Sequence, residues 1–306
     1  MTIGINQFFN TAASQLSSLS AQADAINNQI STGKKISAPS QDVVAYNRLA
    51  QIKQANADNT TYGSNISLAK SLLQQSDTTL TAVTTQLQRA AELTTQAANG
   101  TLSDANRKTI AIELQSIRDD LVNLAGTTDA RGQPLFGAAT GTTAVTQAAD
   151  GSVSFGGTGE VPAIPVGDGT DIRATDSAQR VFGGLPNGSG GTTDIFAVLS
   201  TYISALNAGG TATATAASGT AATAIQAALN QASDVQGSVG ARAARLDIVS
   251  TQASDAANAR DVDRSALEDT DVSTAIISLQ KTISILQATQ ASLTKLGQLS
   301  LFDYLR

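Results

Sequence analysis

Five carboxylates gather toward the end of this sequence, at Asp261, Asp263, Glu268, Asp269 and Asp271. Carboxylates this close together could share acid–base work. Arg260 and Arg264 are interleaved with them, however, and mixed charge of that kind marks a solvated, salt-bridged helix face. Asp168-Gly-Thr-Asp171 has the residue types of a calcium loop without its ligand spacing, and so reads as a turn. Lys34-Lys35 is too short to form a nucleic-acid patch. Neither the glycine-lysine phosphate loop nor the dinucleotide glycine fingerprint occurs. The triplet Asn65-Ile-Ser67 fits a glycan acceptor only in a chain with a eukaryotic secretory signal. The chain contains no histidine and no cysteine. A histidine general base, a cysteine nucleophile, a zinc finger and a disulfide framework are thereby excluded. No cofactor, metal or catalytic residue is expected.

Periodicity says more than chemistry does. Of the 306 residues, 41% are hydrophobic but only 4% aromatic, a composition suited to long helices rather than a thick core. Leu16, Leu19, Ala23, Ile26 and Ile30 form one helical stripe, which Gly33 should end. After Pro39, Ser40 is expected to cap a second helix reaching about Ala98. Its stripe is Ile66, Ala69, Leu73, Ser76, Leu80, Val83, Leu87, Ala90 and Thr94, in heptad-like steps of three and four. Asn99-Gly100 makes a turn, Ser103 caps a third helix seamed by Ile110, Leu114, Ile117, Leu121 and Leu124, and Gly126 stops it.

Between residues 137 and 191, glycine, threonine and aspartate crowd together with short alternating pieces, the mark of a small β-rich insertion. Helical spacing returns after a cap at Asp194, with Ile195, Leu199, Tyr202 and Leu206. The Ala/Thr/Gly run from Gly209 to Thr223 is expected to be a linker. A further helix carries Ile225, Leu229, Ala232, Val239, Ala243, Leu246, Ala253 and Ala257. From Asp271 the last seam runs through Val272, Ala275, Leu279, Thr282, Leu286, Thr289, Leu293 and Leu296, widened by Ile276 and Ile283. The fold class expected is mainly α, a long helical coiled-coil rod formed by both chain ends with a small β-rich central insertion.

The net charge of −6 argues against a nucleic-acid partner. No apolar run is long enough to span a bilayer, so no membrane partner is expected. No Lys or Arg precedes Lys34, so no ordinary signal peptide is read at the N-terminus. The chain reads as cytoplasmic, or as exported without a cleavable signal.

The segments Ser31-Thr-Gly-Lys-Lys-Ile-Ser-Ala-Pro-Ser-Gln-Asp42, Leu87 to Thr101, Arg107 to Gln115, and Val239 to the end resemble the bacterial flagellin superfamily. Three details are more similar to its hook–filament junction family than to flagellin. These are Ala38-Pro39-Ser40, Gly132-Gln-Pro-Leu-Phe-Gly137, and the terminus Leu299-Ser-Leu-Phe-Asp-Tyr-Leu-Arg306. The chain departs from that family at Ser40-Gln-Asp-Val43, where an Asp-Asp-Pro is usual.

The resemblance implies an inner coiled-coil domain of residues 1–33 and 265–306, a helical rod of 34–136 and 192–264, and an outer insertion of 137–191. It implies a structural adaptor, not an enzyme, joining the hook to the flagellin filament outside the cell after type III export. The partners implied are like subunits, the first hook-associated protein, flagellin and an export chaperone. Expected assembly contacts set Leu16, Leu19, Ile26 and Ile30 against Leu279, Leu286, Leu293 and Leu296. A short flagellin forming the filament itself is the alternative, as is a surface homologue binding a glycan or receptor. For the latter, Arg89, Leu93 and Glu113 match a receptor-contact patch of flagellins, though their plainer role is rod surface packing neighbouring subunits.

Overall fold

The computed structural model describes residues 2–187 and 191–304, with side chains described over 7–187 and 191–295. The long elements are helices: α1 (Thr2–Thr32), α2 (Val43–Ala97), α3 (Asp104–Ala125), the short α4 (Ala178–Phe182), α5 (Ile195–Ala208), α6 (Thr211–Glu268) and α7 (Val272–Tyr304). The chain divides into two compact units. One is Met1–Asp58 with Asp255–Arg306, and the other is Asn59–Ser254. Among the described residues no helix is long and apolar enough to cross a membrane.

The second unit is built on the predicted seams. All nine stripe positions of α2 from Ile66 to Thr94 are buried, none above 4% exposed. They meet Ile110, Leu114, Ile117 and Leu121 of α3, Leu199, Tyr202 and Leu206 of α5, and the inner face of α6 in one core. Two polar residues on these faces find partners, while the buried Ser76 hydroxyl has none among the described residues. The Thr94 hydroxyl donates to the Ala90 carbonyl at 2.7 Å, and Tyr202 Oη lies 2.7 Å from Ser218 Oγ.

The caps follow short polar side chains. Ser103 Oγ accepts the Asn106 N–H, and Asp194 Oδ1 accepts the Ala197 N–H at 2.8 Å. The second helix starts later than expected. Gln41 Oε1 accepts the backbone N–H groups of Ser37 and Ala38, folding residues 37–41 into a turn. The cap therefore falls to Asp42, whose Oδ1 accepts from Val44 and Ala45 at 3.0 Å, rather than to Ser40.

The Ala/Thr/Gly run is another correction, being helix from Thr211 onward. Ala214, Ser218, Ala221, Ile225, Ala228 and Ala232 repeat in steps of four and three, and all are buried. Alanine is the best helix former, and small side chains on that face let neighbouring helices approach closely. Gly209 and Gly210, with φ of +76° and +91°, turn the chain between α5 and α6.

Among the described residues, 137–193 hold three separate antiparallel pairs rather than one sheet. They are β1 (Val145–Gln147) with β2 (Val153–Phe155), β3 (Ile164–Gly167) with β4 (Thr170–Ile172), and β5 (Leu185–Pro186) with β6 (Thr192–Thr193). Asp168-Gly169, with Gly169 at φ +62°, is the tight turn between β3 and β4. Three buried rings tie the insertion to the helices: Phe182 meets Phe136 edge-on at 5.9 Å and Phe196 at 5.4 Å. Asp176, on the segment before α4, pairs with Arg180 at 3.1 Å and with Arg242 of α6.

Asp129, 8% exposed, sits in the turn after α3. Burial alone would raise its pKa. Hydrogen bonds from the Gln133 and Arg131 backbone and the Arg131 guanidinium overcome that and hold it below the usual carboxylate value. A carboxylate depressed in the folded state stabilises above its unfolded pKa, and the contribution fades as pH falls through the folded one.

Urea unfolding of Leu114→Ala, whose parent side chain is fully buried, should show a loss of about 2–5 kcal/mol, against about 1 kcal/mol for Ser103→Ala. Asp129→Asn should lower stability at pH 7 and show a smaller further loss than the parent chain below about pH 4. Equal acid sensitivity in both proteins would refute the assignment.

Candidate assembly surface: the paired terminal helices

In the first unit α1 and α7 pack along each other as an antiparallel pair. Their seams face inward. Ala12, Ala275 and Thr282 are buried, and Leu16, Leu19, Ala23, Ile26, Ile30, Leu279, Leu286, Thr289 and Leu293 are half-buried. The Thr282 hydroxyl is satisfied by the Ser278 carbonyl at 2.9 Å. Leu296 is helical, but its side chain lies outside the described residues. The seam leucines and isoleucines thus serve first to join the two ends of one chain.

The pair is closed at a joint built by the motif near residue 33. Gly33 takes φ +69°, a left-handed conformation that ends α1 cheaply only for glycine. Its carbonyl accepts the Thr270 N–H at 2.9 Å, and the Lys35 N–H donates to the Glu268 carbonyl at 2.6 Å. Lys34 Nζ reaches Glu268 Oε1 at 2.5 Å, and Arg264 bridges Asp261 at 3.3 Å and Glu268 at 3.6 Å. Asp263 lies 3.8 Å from Arg48, and Asp269 accepts the Ser265 hydroxyl.

Asp271 caps α7. Its carboxylate accepts the Thr274 hydroxyl at 2.7 Å and the Ser273 and Thr274 N–H groups. The Thr274 hydroxyl bond first, then the backbone bonds, hold its pKa below the ordinary value. Each carboxylate of the cluster therefore has a partner or a cap, and none is arranged as a free acid–base pair.

The terminal pair carries little charge. Asp24 is the one charged residue of α1, and over 272–295 α7 has only Lys281 and Lys295. Hydroxyls on both helices bond back into their own turns, as Thr11, Thr32, Ser284, Thr289 and Thr294 do.

The second candidate patch is dismantled in part. Arg89 pairs with Glu113 at 2.6 Å and Glu92 at 3.0 Å on an open surface, and these hydrogen bonds raise its pKa. Leu93, by contrast, is 1% exposed and belongs to the helical core. It occupies the inward face of α2, three positions after Ala90, and offers nothing to a surface.

A fold of long helices drawn from both ends of the chain, with a small insertion between them, is that of the flagellin class. Residues 3–141 match the bacterial flagellin N-terminal helical region. The flagellar hook-associated protein 3 of Salmonella typhimurium is 30% identical over 99% of this chain and 99% of its own length. Among solved structures, flagellar hook associated protein-3 from Legionella pneumophila aligns with a TM-score of 0.65 at 18% identity, over 71% of this chain and 98% of that one. FlgL from Xanthomonas campestris aligns at 0.63 and 18%, over 70% and 99%. The chain belongs to the family of flagellar hook-associated protein 3.

Trypsin can cut at Lys34 and Lys35, within the joint. Gly33→Ala meets open space and is opposed only by its positive φ, at about 1 kcal/mol. Cleavage there should rise about five-fold if local opening limits the rate. Unchanged cleavage would mean that Gly33 does not govern the joint.

Proposed function

We propose that this chain is a structural adaptor subunit of the flagellum, joining the hook, through the first hook-associated protein, to the flagellin filament. The reading rests on near full-length similarity to hook-associated protein 3. The observation that carries it physically is the charge-poor pairing of α1 with α7. A pair of helices held by one seam, with little charge outside it, is suited to packing against neighbours rather than standing alone in water.

Residues 1–33 and 265–306 form the inner coiled-coil domain, 34–136 and 192–264 the surrounding rod, and 137–191 the outward insertion. The protein acts outside the cell, after unfolded export through the flagellar type III pathway with the help of an export chaperone. Its work is done by packing with like subunits, the first hook-associated protein and flagellin. It performs no catalysis. In this reading Leu16, Leu19, Ile26 and Ile30 with Leu279, Leu286, Leu293 and Leu296 supply the seam on which assembly depends.

Immunogold labelling of isolated hook–filament complexes should give one narrow band at the junction. Label along the entire filament would instead identify a short flagellin. Deleting the gene should leave cells shedding flagellin monomers into the medium. Leu286→Glu or Leu293→Glu should abolish incorporation while the core of residues 59–254 keeps its unfolding transition. Normal filament growth with either variant would overturn the role given to the seam.

A further inference from the structure

The turn between α2 and α3 holds a reactive pair that assembly does not use. Asn99 and Gly100 lie side by side in it, and both are exposed. Asn99 Oδ1 accepts two bonds from Thr101, the backbone N–H at 3.0 Å and the hydroxyl at 2.9 Å. Neither Asn99 Nδ2 nor the Gly100 N–H has a hydrogen-bond partner among the described residues. The Asn99 main-chain carbonyl is held separately, by the Leu102 N–H at 3.2 Å and by Arg107 Nη2 at 3.3 Å. Arg107 is fully buried and also bonds to Asp104 at 3.1 Å and to Thr211 of α6 at 3.4 Å, which pins the turn. Gly100 carries no side chain to shield its own nitrogen, and backbone can approach closely there.

We infer that Asn99 is a site of self-modification, at which the Gly100 nitrogen attacks the Asn99 side-chain amide and converts the residue through a cyclic imide to isoaspartate and aspartate. The Gly100 N–H gives its proton to water or hydroxide, and the nitrogen pair bonds to Asn99 Cγ. Negative charge then gathers on Oδ1, where the Thr101 N–H and hydroxyl already donate; donors placed in advance at a developing oxyanion lower its barrier. The bond from Cγ to Nδ2 breaks, and Nδ2 leaves as ammonia after taking a proton. No bond has to be broken to free either nitrogen, and attacker and target belong to neighbouring residues, so the step is intramolecular. Water then opens the ring at either carbonyl. Attack at Cγ returns aspartate. Attack at the main-chain carbon, whose oxygen the Arg107 guanidinium polarises, gives isoaspartate and leaves a carboxylate beside that guanidinium, a charge-assisted pair. The net reaction takes up water and releases ammonia, with no oxidant or reductant. It runs one way, so converted chains accumulate with the age of the molecule, each carrying one more negative charge in the turn. This chemistry is independent of the adaptor reading.

The test follows conversion in the folded, full-length chain held in warm, mildly alkaline buffer. Trypsin releases Asn99 within the peptide between Arg89 and Arg107. Mass spectrometry then reads the change from amide to acid, and isoaspartyl methylation identifies the isomer. Conversion at Asn99 should proceed in the parent chain with isoaspartate among the products; a parent chain that keeps its Asn99 amide while Asn187-Gly188 converts would overturn the proposal. Gly100→Ala is the first variant. Its new Cβ meets only Thr211 Cγ2, at 3.8 Å, and no positive φ opposes it, so the fold is kept. Shielding the nitrogen should slow conversion by about ten-fold or more, and an unchanged rate would rule out attack by Gly100. Thr101→Val is the second, keeping the shape of an exposed side chain while removing one donor to Oδ1. Loss of a donor of ordinary strength should slow conversion about five-fold. An equal or faster rate in Thr101→Val would show that the turn shelters Asn99 rather than activating it, and would overturn the proposal. Circular dichroism on both variants verifies that each rate belongs to the folded protein.

Discussion

An apolar seam on a helix must leave water against something, and at each end of this chain it does so against the other end. The two seams lie far apart in sequence, yet the Thr270 N–H to Gly33 carbonyl and Lys35 N–H to Glu268 carbonyl bonds hold their bases together. Once those are made, the steps of three and four along α1 and α7 run in register. The half-burial of Leu16, Leu19, Leu279 and Leu286 follows from that register. Helices of this kind gain little from propensity alone; each depends on its partner for existence. Loss of the joint would therefore remove both.

The sequence was legible where periodicity was strong and side chains were large. Every position of the stripe from Ile66 to Thr94 is inside, and the caps at Ser103 and Asp194 are where short polar residues precede apolar runs. It was illegible where helix is made of alanine and threonine. The stretch from Thr211 has no large apolar residue before Ile225, so hydrophobic spacing is weak, although Ala214, Ser218 and Ala221 keep the step of four and three. At Ser40 a nearby glutamine decided the outcome, by drawing the preceding backbone into a turn and moving the cap to Asp42.

The surface residues were harder still. Heptad spacing does not say whether a seam pairs within a chain or between chains, and here α1 and α7 satisfy it internally. Likeness to other proteins points to Leu93 as surface, but its place three residues after Ala90 on a buried stripe fixes it as core. Arg107 tells the same story in reverse. It stands three residues before Ile110 on the inward face of α3, fully buried, with its guanidinium on Asp104 at 3.1 Å and the Asn99 carbonyl at 3.3 Å. Position on a stripe outweighed a family likeness at Leu93 and residue type at Arg107.

The scarcity of charge on α1 and α7 has a consequence for the medium in which such helices meet. At ordinary salinity ions screen attraction between exposed charges more than about 10 Å apart, but they have little to act on where Asp24 is the lone charge of a 31-residue helix. Dissolved salts such as sulfate tend to strengthen apolar burial instead. A coupling made from these strips would hold in fresh water and brine alike, without retuning its surface to either.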